Sequence, residues 1–413
     1  MKRTQKITKS DIIRVIAYII IVCNIGILRV FNVEMFTSGY SLRYITVFLA
    51  ILILPFIRYK NKYWNRSVVV IELLMVMELF LSKFSYNQSV GNLIRQNIHI
   101  FYYLLILPLI TVNERNIRKI VRFLIIITIA TMLLKTTSWY SYNYSGTELF
   151  PYLSNEFGEN WIRNNNYRYS STAFAPLVFM LLSYLYIMRR KKQKRLTVIL
   201  EVLTMVFILF FEVAVYQARS EVIICVVEFL AIFLLNKKDK TEKKILKYSV
   251  VIVTTLGIIL FGVLDSFFST FKITNTMGGG TIRLRLEALV YYSDLLKKSF
   301  ISGIGFFDTV NPLTLSIFRG AMGNRYLDDL GIIGFLFQFG FFGIIILCLM
   351  VYRMVKIYKN AKDKYQKTLL GGCIVTFVLM SALGACPFDS QRMICIPVFI
   401  AFFEHLNKGG VIL

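Results

Sequence analysis

Apolar stretches of roughly 17 to 22 residues, parted by short runs of charge, recur along the whole chain. Each is long enough to cross about 30 Å of hydrocarbon as a helix rising 1.5 Å per residue. Spans are predicted near 12–30, 44–58, 67–83, 98–112, 119–138, 172–188, 196–215, 220–235, 248–264, 329–350, 368–385 and 393–406. Composition agrees, since 56% of residues are hydrophobic against about 45–50% in soluble domains. Only 17% are charged, and the mean hydropathy is +0.62. The expected fold is all-α, a single integral membrane domain over residues 1–413 with about 12 transmembrane helices.

A formal charge of +25 would suit a nucleic-acid binder if it were gathered on a soluble face. Here it alternates between loops instead. Lys2, Arg3, Lys6 and Lys9; Arg58, Lys60, Lys62 and Arg66; Arg115, Arg118, Lys119 and Arg122; Arg189 to Arg195; Lys237 to Lys247; and Arg353 to Lys367 all fall on one side. The intervening loops are poor in positive charge. One orientation therefore satisfies the positive-inside rule, with both termini cytoplasmic and no nucleic-acid partner. The first apolar stretch ends without a small-residue cleavage pattern and reads as a retained span. Six cysteines without metal-ligand spacing read as small buried hydrophobes. With two histidines, His99 and His405, both read as interfacial, neither a metal site nor a cofactor is expected.

Two outer segments are too long to be connectors. The first, 139–171, is rich in Tyr, Trp and Asn, a composition that suits stacking on sugar rings and equally suits an interfacial aromatic belt. The second, 265–328, passes through Met277 to Gly280 into an amphipathic helix, with Leu286, Leu289, Val290 and Leu296 on one face. Arg283 and Glu287 are i,i+4 neighbours on another. The helix ends toward Ser302-Gly303-Ile304-Gly305, which reads as a flexible stop.

Arginine on the outer side opposes the positive-inside bias, so something must hold it there. Arg163 and Arg168, Arg219, Arg283 and Arg285, and Arg319 with Arg325 form four such groups. Guanidinium binds phosphate bidentately, so a diphosphate near the membrane surface is the expected ligand. Arg219 sits in a helix–turn–helix corner where Ser220 could cap the next helix; the plain alternative is a snorkelling arginine. Of the intramembrane acids, Glu78 and Glu212 lie near the outer arginines and could pair with them, while Glu72, Glu201 and Glu228 should face the bundle interior. Lys135 reads as snorkelling beside Trp139.

Three segments resemble the O-antigen and capsular polysaccharide polymerases and the related O-antigen ligases. They are Gln-Ala-Arg-Ser at 217–220, the arginine-led helix running to Gly-Ile-Gly-Phe across 283–306, and Asn-Arg-Tyr-Leu-Asp-Asp-Leu-Gly at 324–331. The resemblance implies a metal-independent glycosyltransferase on the outer face of a bacterial plasma membrane. A polyprenyl-diphosphate-linked oligosaccharide would be donor and a hydroxyl of a second lipid-linked repeat the acceptor, with a flippase and a chain-length regulator as partners. Arg163, Arg168, Arg219, Arg283, Arg285 and Arg325 would hold the diphosphate. Asp328 and Asp329, then Glu287, are the base candidates, their plain alternative being carboxylates complementing a helix N-terminus. Ligases carry a His-Asn pair at this place; this chain has Asn324, Asp328 and Asp329 and no nearby histidine, which favours polymerase. A flippase or proton-coupled carrier would instead concentrate polar residues at the bilayer midplane and show an internal repeat.

Overall fold

The computed structural model describes residues 8–31, 33–37, 39–57, 61–150, 153, 162–163, 166–170, 172–189, 193–236, 281–320, 325–384 and 386–409. About 80% of the structure is helical, with almost no strand. Three helices are long and apolar enough to cross a membrane: Arg195–Val215, Ile332–Asn360 and Lys364–Gly384. The span predicted at 248–264 lies outside the described residues.

Helices α1 (Lys9–Ile25), α2 (Glu34–Thr37), α3 (Gly39–Ile53), α4 (Lys62–Tyr86), α5 (Val90–Asn97), α6 (Ile106–Leu109) and α7 (Glu114–Ser145) lead to a two-stranded hairpin. Its strands are β1 (Ile162–Arg163) and β2 (Asn166–Tyr167). Then come α8 (Ala175–Arg189), α9 (Arg195–Phe210), a π-turn over Phe211–Val215, and α10 (Arg219–Leu235). The remainder is α11 (Thr281–Leu296), α12 (Pro312–Arg319), α13 (Ile332–Asn360), α14 (Lys364–Gly384) and α15 (Cys395–Asn407).

Polar contacts between these helices fall into two chemically distinct groups, one at each end of the packed helices. At one end Arg14 donates to Asn116, Trp64 and Arg353 both donate to Glu404, and Lys408 donates to the Ile110 carbonyl. Arg14, Arg353 and Lys408 are the basic residues these contacts place here. At the other end Arg43 donates to Ser390, Tyr86 to the Ile304 carbonyl, and Gln88 to the Phe306 carbonyl. The described residues 166–170, 304–308 and 328–331 join this second end.

Residues 98–112, predicted as one span, differ in form. Ile98–Leu105 is a 3-10 helix, followed by the four-residue α6. The 3-10 form rises about 2.0 Å per residue instead of 1.5, so a short segment covers more depth. Its side chains are held on several sides, with Tyr102 donating to Asn24, Tyr103 to the Pro387 carbonyl, and His99 bonded to the Phe388 carbonyl. His99 and His405 are thus buried rather than interfacial.

Helix α13 is broken at Gly340, whose φ of 53° and ψ of −133° are outside the helical region. Segment 299–305 fills the break. The amides of Ile304 and Gly305 donate to the carbonyls of Phe337 and Gln338, and the Phe341 amide reaches the Ile301 carbonyl. A Cβ on Gly303 would stand 2.3 Å from the Gln338 oxygen. Ser-Gly-Ile-Gly is therefore a lock, not a flexible stop: glycine is needed because two backbones touch.

The apolar face of α11 is divided, with Leu289 and Leu296 packed against the protein. Ala288 and Tyr292 are buried with Ile304, Phe307, Leu327 and Phe337 in a small second core. Leu286 and Val290 are exposed. Lys135 does not snorkel; it is fully buried and its Nζ donates to both the carbonyl and the hydroxyl of Ser170 at 3.0 Å. Five of the six cysteines are buried as expected, and Cys348 is exposed.

Candidate functional site

The turn between α14 and α15 brings Arg392 into the second end of the bundle. Its guanidinium donates to Asp389 at 3.0 Å, to the Gly384 carbonyl at 3.1 Å and to the Tyr216 hydroxyl at 3.0 Å, and pairs with Glu221 at 3.2 Å. Tyr216 is placed by the π-turn before it, whose extra residue per turn closes with the Tyr216 amide on the Phe211 carbonyl. Gln217 then takes a positive φ of 56° to turn the chain into α10.

Asp328 borders this network from the 3-10 turn Asp328–Leu330 that precedes α13. The residue as a whole is exposed, yet burial of its carboxyl by surrounding protein, with the charges of Asp389 and Asp329, pushes its pKa up to about 6, against the pull of Arg392. A carboxylate of that kind is ionised at neutral pH and still basic enough to take a proton. Burial alone would lower the pKa of Arg392. Tyr216, Glu221 and Asp389 outweigh it and hold the guanidinium charged.

The same end collects the other outer side chains. Arg168 acts electrostatically on Tyr216, and Arg319 and Arg325 act on Tyr292, as Asp328 does. Arg325 lies 4.4 Å over the ring of Tyr291, and Arg319 lies 4.8 Å over Tyr326. Asp308 anchors the loop carrying them. It accepts from Asn92 at 2.8 Å and Gln96 at 2.9 Å, while the Gln96 carbonyl oxygen accepts from Thr309. Burial opposes ionisation of Asp308, but bonds from Asn92, the Val310 amide and Gln96 outweigh it and hold the pKa below the usual 3.8.

Of the residues singled out in the sequence, Asp328, Arg168 and Arg325 are thus brought to one region. Asp329 sits beside Asp328 and is exposed, whereas Glu287 and Arg285 point to solvent on α11. Arg219 is the first residue of α10, Arg163 lies in β1 and Arg283 in the first turn of α11; their side chains lie outside the described residues. Ser220 makes no cap, because the N-cap of α10 is Ala218. Glu78 lies against the Gly305 backbone rather than an outer arginine, and Glu212 acts electrostatically on Lys135.

Part of the tyrosine-rich loop is structural. Tyr167 and Tyr169 are buried, Tyr169 bonds Ser138 at 2.8 Å, and Asn143 clasps the Tyr167 backbone from both sides. Tyr140 and Tyr144 remain exposed and face each other at 4.9 Å.

Sequence reasoning missed Arg392, Asp389, Glu221 and Tyr216. The signal was available, since Asp389-Ser390-Gln391-Arg392 is a charged turn on the predicted outer side between two apolar stretches. It also missed Arg43 and Arg95, outer by the same topology. Among the described residues no cluster of three or more His, Cys, Asp or Glu suited to a metal occurs. No protein-family model matches the chain, and comparison with curated proteins finds no match, so a functional reading rests on this geometry and on the local resemblances of sequence.

Proposed function

We propose that the protein is a bacterial polysaccharide polymerase that joins polyprenyl-diphosphate-linked repeat units on the outer face of the plasma membrane. The observation that carries the reading is an accessible Asp328 with a pKa near 6 beside the Asp389–Arg392–Glu221 network. In this reading the bundle has about twelve spans and both termini are cytoplasmic. The placing of Arg14, Arg353 and Lys408 at the end opposite Arg392 supports that orientation.

The reaction needs a base, a cationic cradle and no redox step. Asp328 takes the proton of an acceptor hydroxyl as its oxygen bonds to the anomeric carbon of the donor. The bond from that carbon to the diphosphate oxygen breaks, and the diphosphate leaves with the electron pair. Arg325 and Arg168 offset the charge that develops on it, the contribution of fixed cations in such transition states. Arg392, already bound by two carboxylates, positions Asp389 and Tyr216 rather than the diphosphate.

One observation favours a carrier instead, because helix breaks such as that at Gly340 recur at transporter binding sites. Deleting the gene in a capsule-forming host separates the two. Loss of a polymerase leaves single lipid-linked repeats on the outer leaflet, whereas their accumulation on the cytoplasmic leaflet would establish the carrier. Asp328→Asn at normal protein level should abolish long chains; full-length polymer would refute its role as base.

A further inference from the structure

Helices α3 and α5 bring two arginines to one aromatic ring. Arg43 lies 5.5 Å and Arg95 5.7 Å from the centroid of Tyr40, which is itself exposed. Among the described residues neither arginine makes an ion pair with a carboxylate, and the one polar bond of the pair is from Arg43 to the Ser390 hydroxyl at 2.8 Å. Arg29 is within electrostatic reach of Arg43. Cationic side chains usually find carboxylates when a fold holds them together, as Arg392 does with Glu221 and Asp389. Two guanidinium groups gathered on one ring and left without an acid form a receptor for an anion with several oxygens.

The surroundings say what carries that anion. Below Tyr40 the exposed side of α3 shows Tyr44, Phe48, Ile51 and Leu52, an apolar stripe at helical spacing. A headgroup held by Arg43 and Arg95 would have its lipid chain alongside this stripe. Ser390 follows Asp389, so the site adjoins the Arg392 network across a single turn. We infer that Arg43, Arg95 and Tyr40 form a second binding site, for the diphosphate headgroup of a lipid carrier, distinct from the one near Arg325. Resting on the proposed polymerisation, this site holds the acceptor: the reaction joins two lipid-linked units, each bringing its own diphosphate.

The test is a count of bound lipids on the full-length protein in phosphatidylcholine nanodiscs, with undecaprenyl diphosphate as probe and native mass spectrometry as readout. Wild type should take up two molecules per chain. Arg43→Gln/Arg95→Gln should take up one, and Arg325→Gln should also take up one, by losing the other site. Arg95 is exposed and Arg43 half-buried, and unchanged elution as a monodisperse species confirms that the variants fold. Unchanged stoichiometry in the double variant overturns the inference. So does equal occupancy by phosphatidylglycerol, which would make the pair a general phospholipid contact, or by free inorganic diphosphate, which would dispense with the lipid. Because binding is counted without turnover, two-site binding in a protein that makes no polymer would refute the polymerase and acceptor roles while leaving the site itself intact.

Discussion

Replacing Arg392 by Gln should be among the most destabilising single changes at the outer end, and the structure supplies the magnitude. The Glu221 side chain is 2% exposed and the Arg392 side chain 21%. Truncating the cation leaves a buried carboxylate unpaired, which costs about 3–5 kcal/mol. Glu221→Gln leaves Arg392 with Asp389, the Tyr216 hydroxyl and some solvent, so its loss is that of one charge-assisted bond, about 1.5–3 kcal/mol. In the double variant the unpaired charge is gone. The combined loss should fall short of the sum of the singles by about 1 kcal/mol or more, within the range measured for contacting pairs. The assay is unfolding of the purified protein in mixed micelles by increasing SDS, followed by protease susceptibility. Additivity within about 0.5 kcal/mol would refute the idea that these two groups hold the turn before α15 to the start of α10.

Four further outcomes are expected. If Asp328 is the base, the polymerisation rate should rise about tenfold per pH unit below about 6 and level off above it, and a profile flat across this range would exclude the role. Because its pKa is raised above 3.8, Asp328 costs the fold stability as pH climbs from about 4 to about 6; Asp328→Asn should remove that slope in thermal melts, even as polymer is lost. Asp308 has the opposite sign: the stability it gives is present above the usual 3.8 and lost as pH falls below it, so acid should expose segment 299–311 to protease first, and Asp308→Ala should do so at neutral pH. Gly340→Ala would place a Cβ 2.4 Å from the Phe300 carbonyl oxygen at a positive φ, costing about 1–3 kcal/mol for the overpacking and a similar amount for the backbone; folded protein recovered at wild-type yield and melting temperature would show that the break is soft.

The distribution of chemistry was legible in the sequence only in part. Arg168 and Arg325 were visible because positive charge on a predicted outer loop stands out against the positive-inside bias, and Asp328 because its segment resembles that of a known family. Lys135 was misread because a lone lysine near a span end gives no hint of Ser170, which lies 35 residues away and supplies both its acceptors. Helical periodicity placed Leu286, Leu289, Val290 and Leu296 on one face of α11 without saying which of them a neighbour meets: Leu289 and Leu296 pack, Leu286 and Val290 are exposed. The buried Ala288 and Tyr292 are met by Phe307 and Phe337 from later elements.

Local pattern was enough for a helical chain with segments able to cross a membrane, since the cost of polar groups in hydrocarbon is paid residue by residue along the chain. It could not determine that Arg392 meets Glu221, 171 residues earlier in sequence, or that Arg43 and Arg95 share Tyr40. Nor could it show that Gly303 and Gly340 touch. Those pairings depend on how helices are arranged around one another, and side chains distant along the chain acquire a common environment only when packing has chosen that arrangement. The outer end of the bundle is where tertiary structure, rather than local pattern, turned scattered charges into a candidate site.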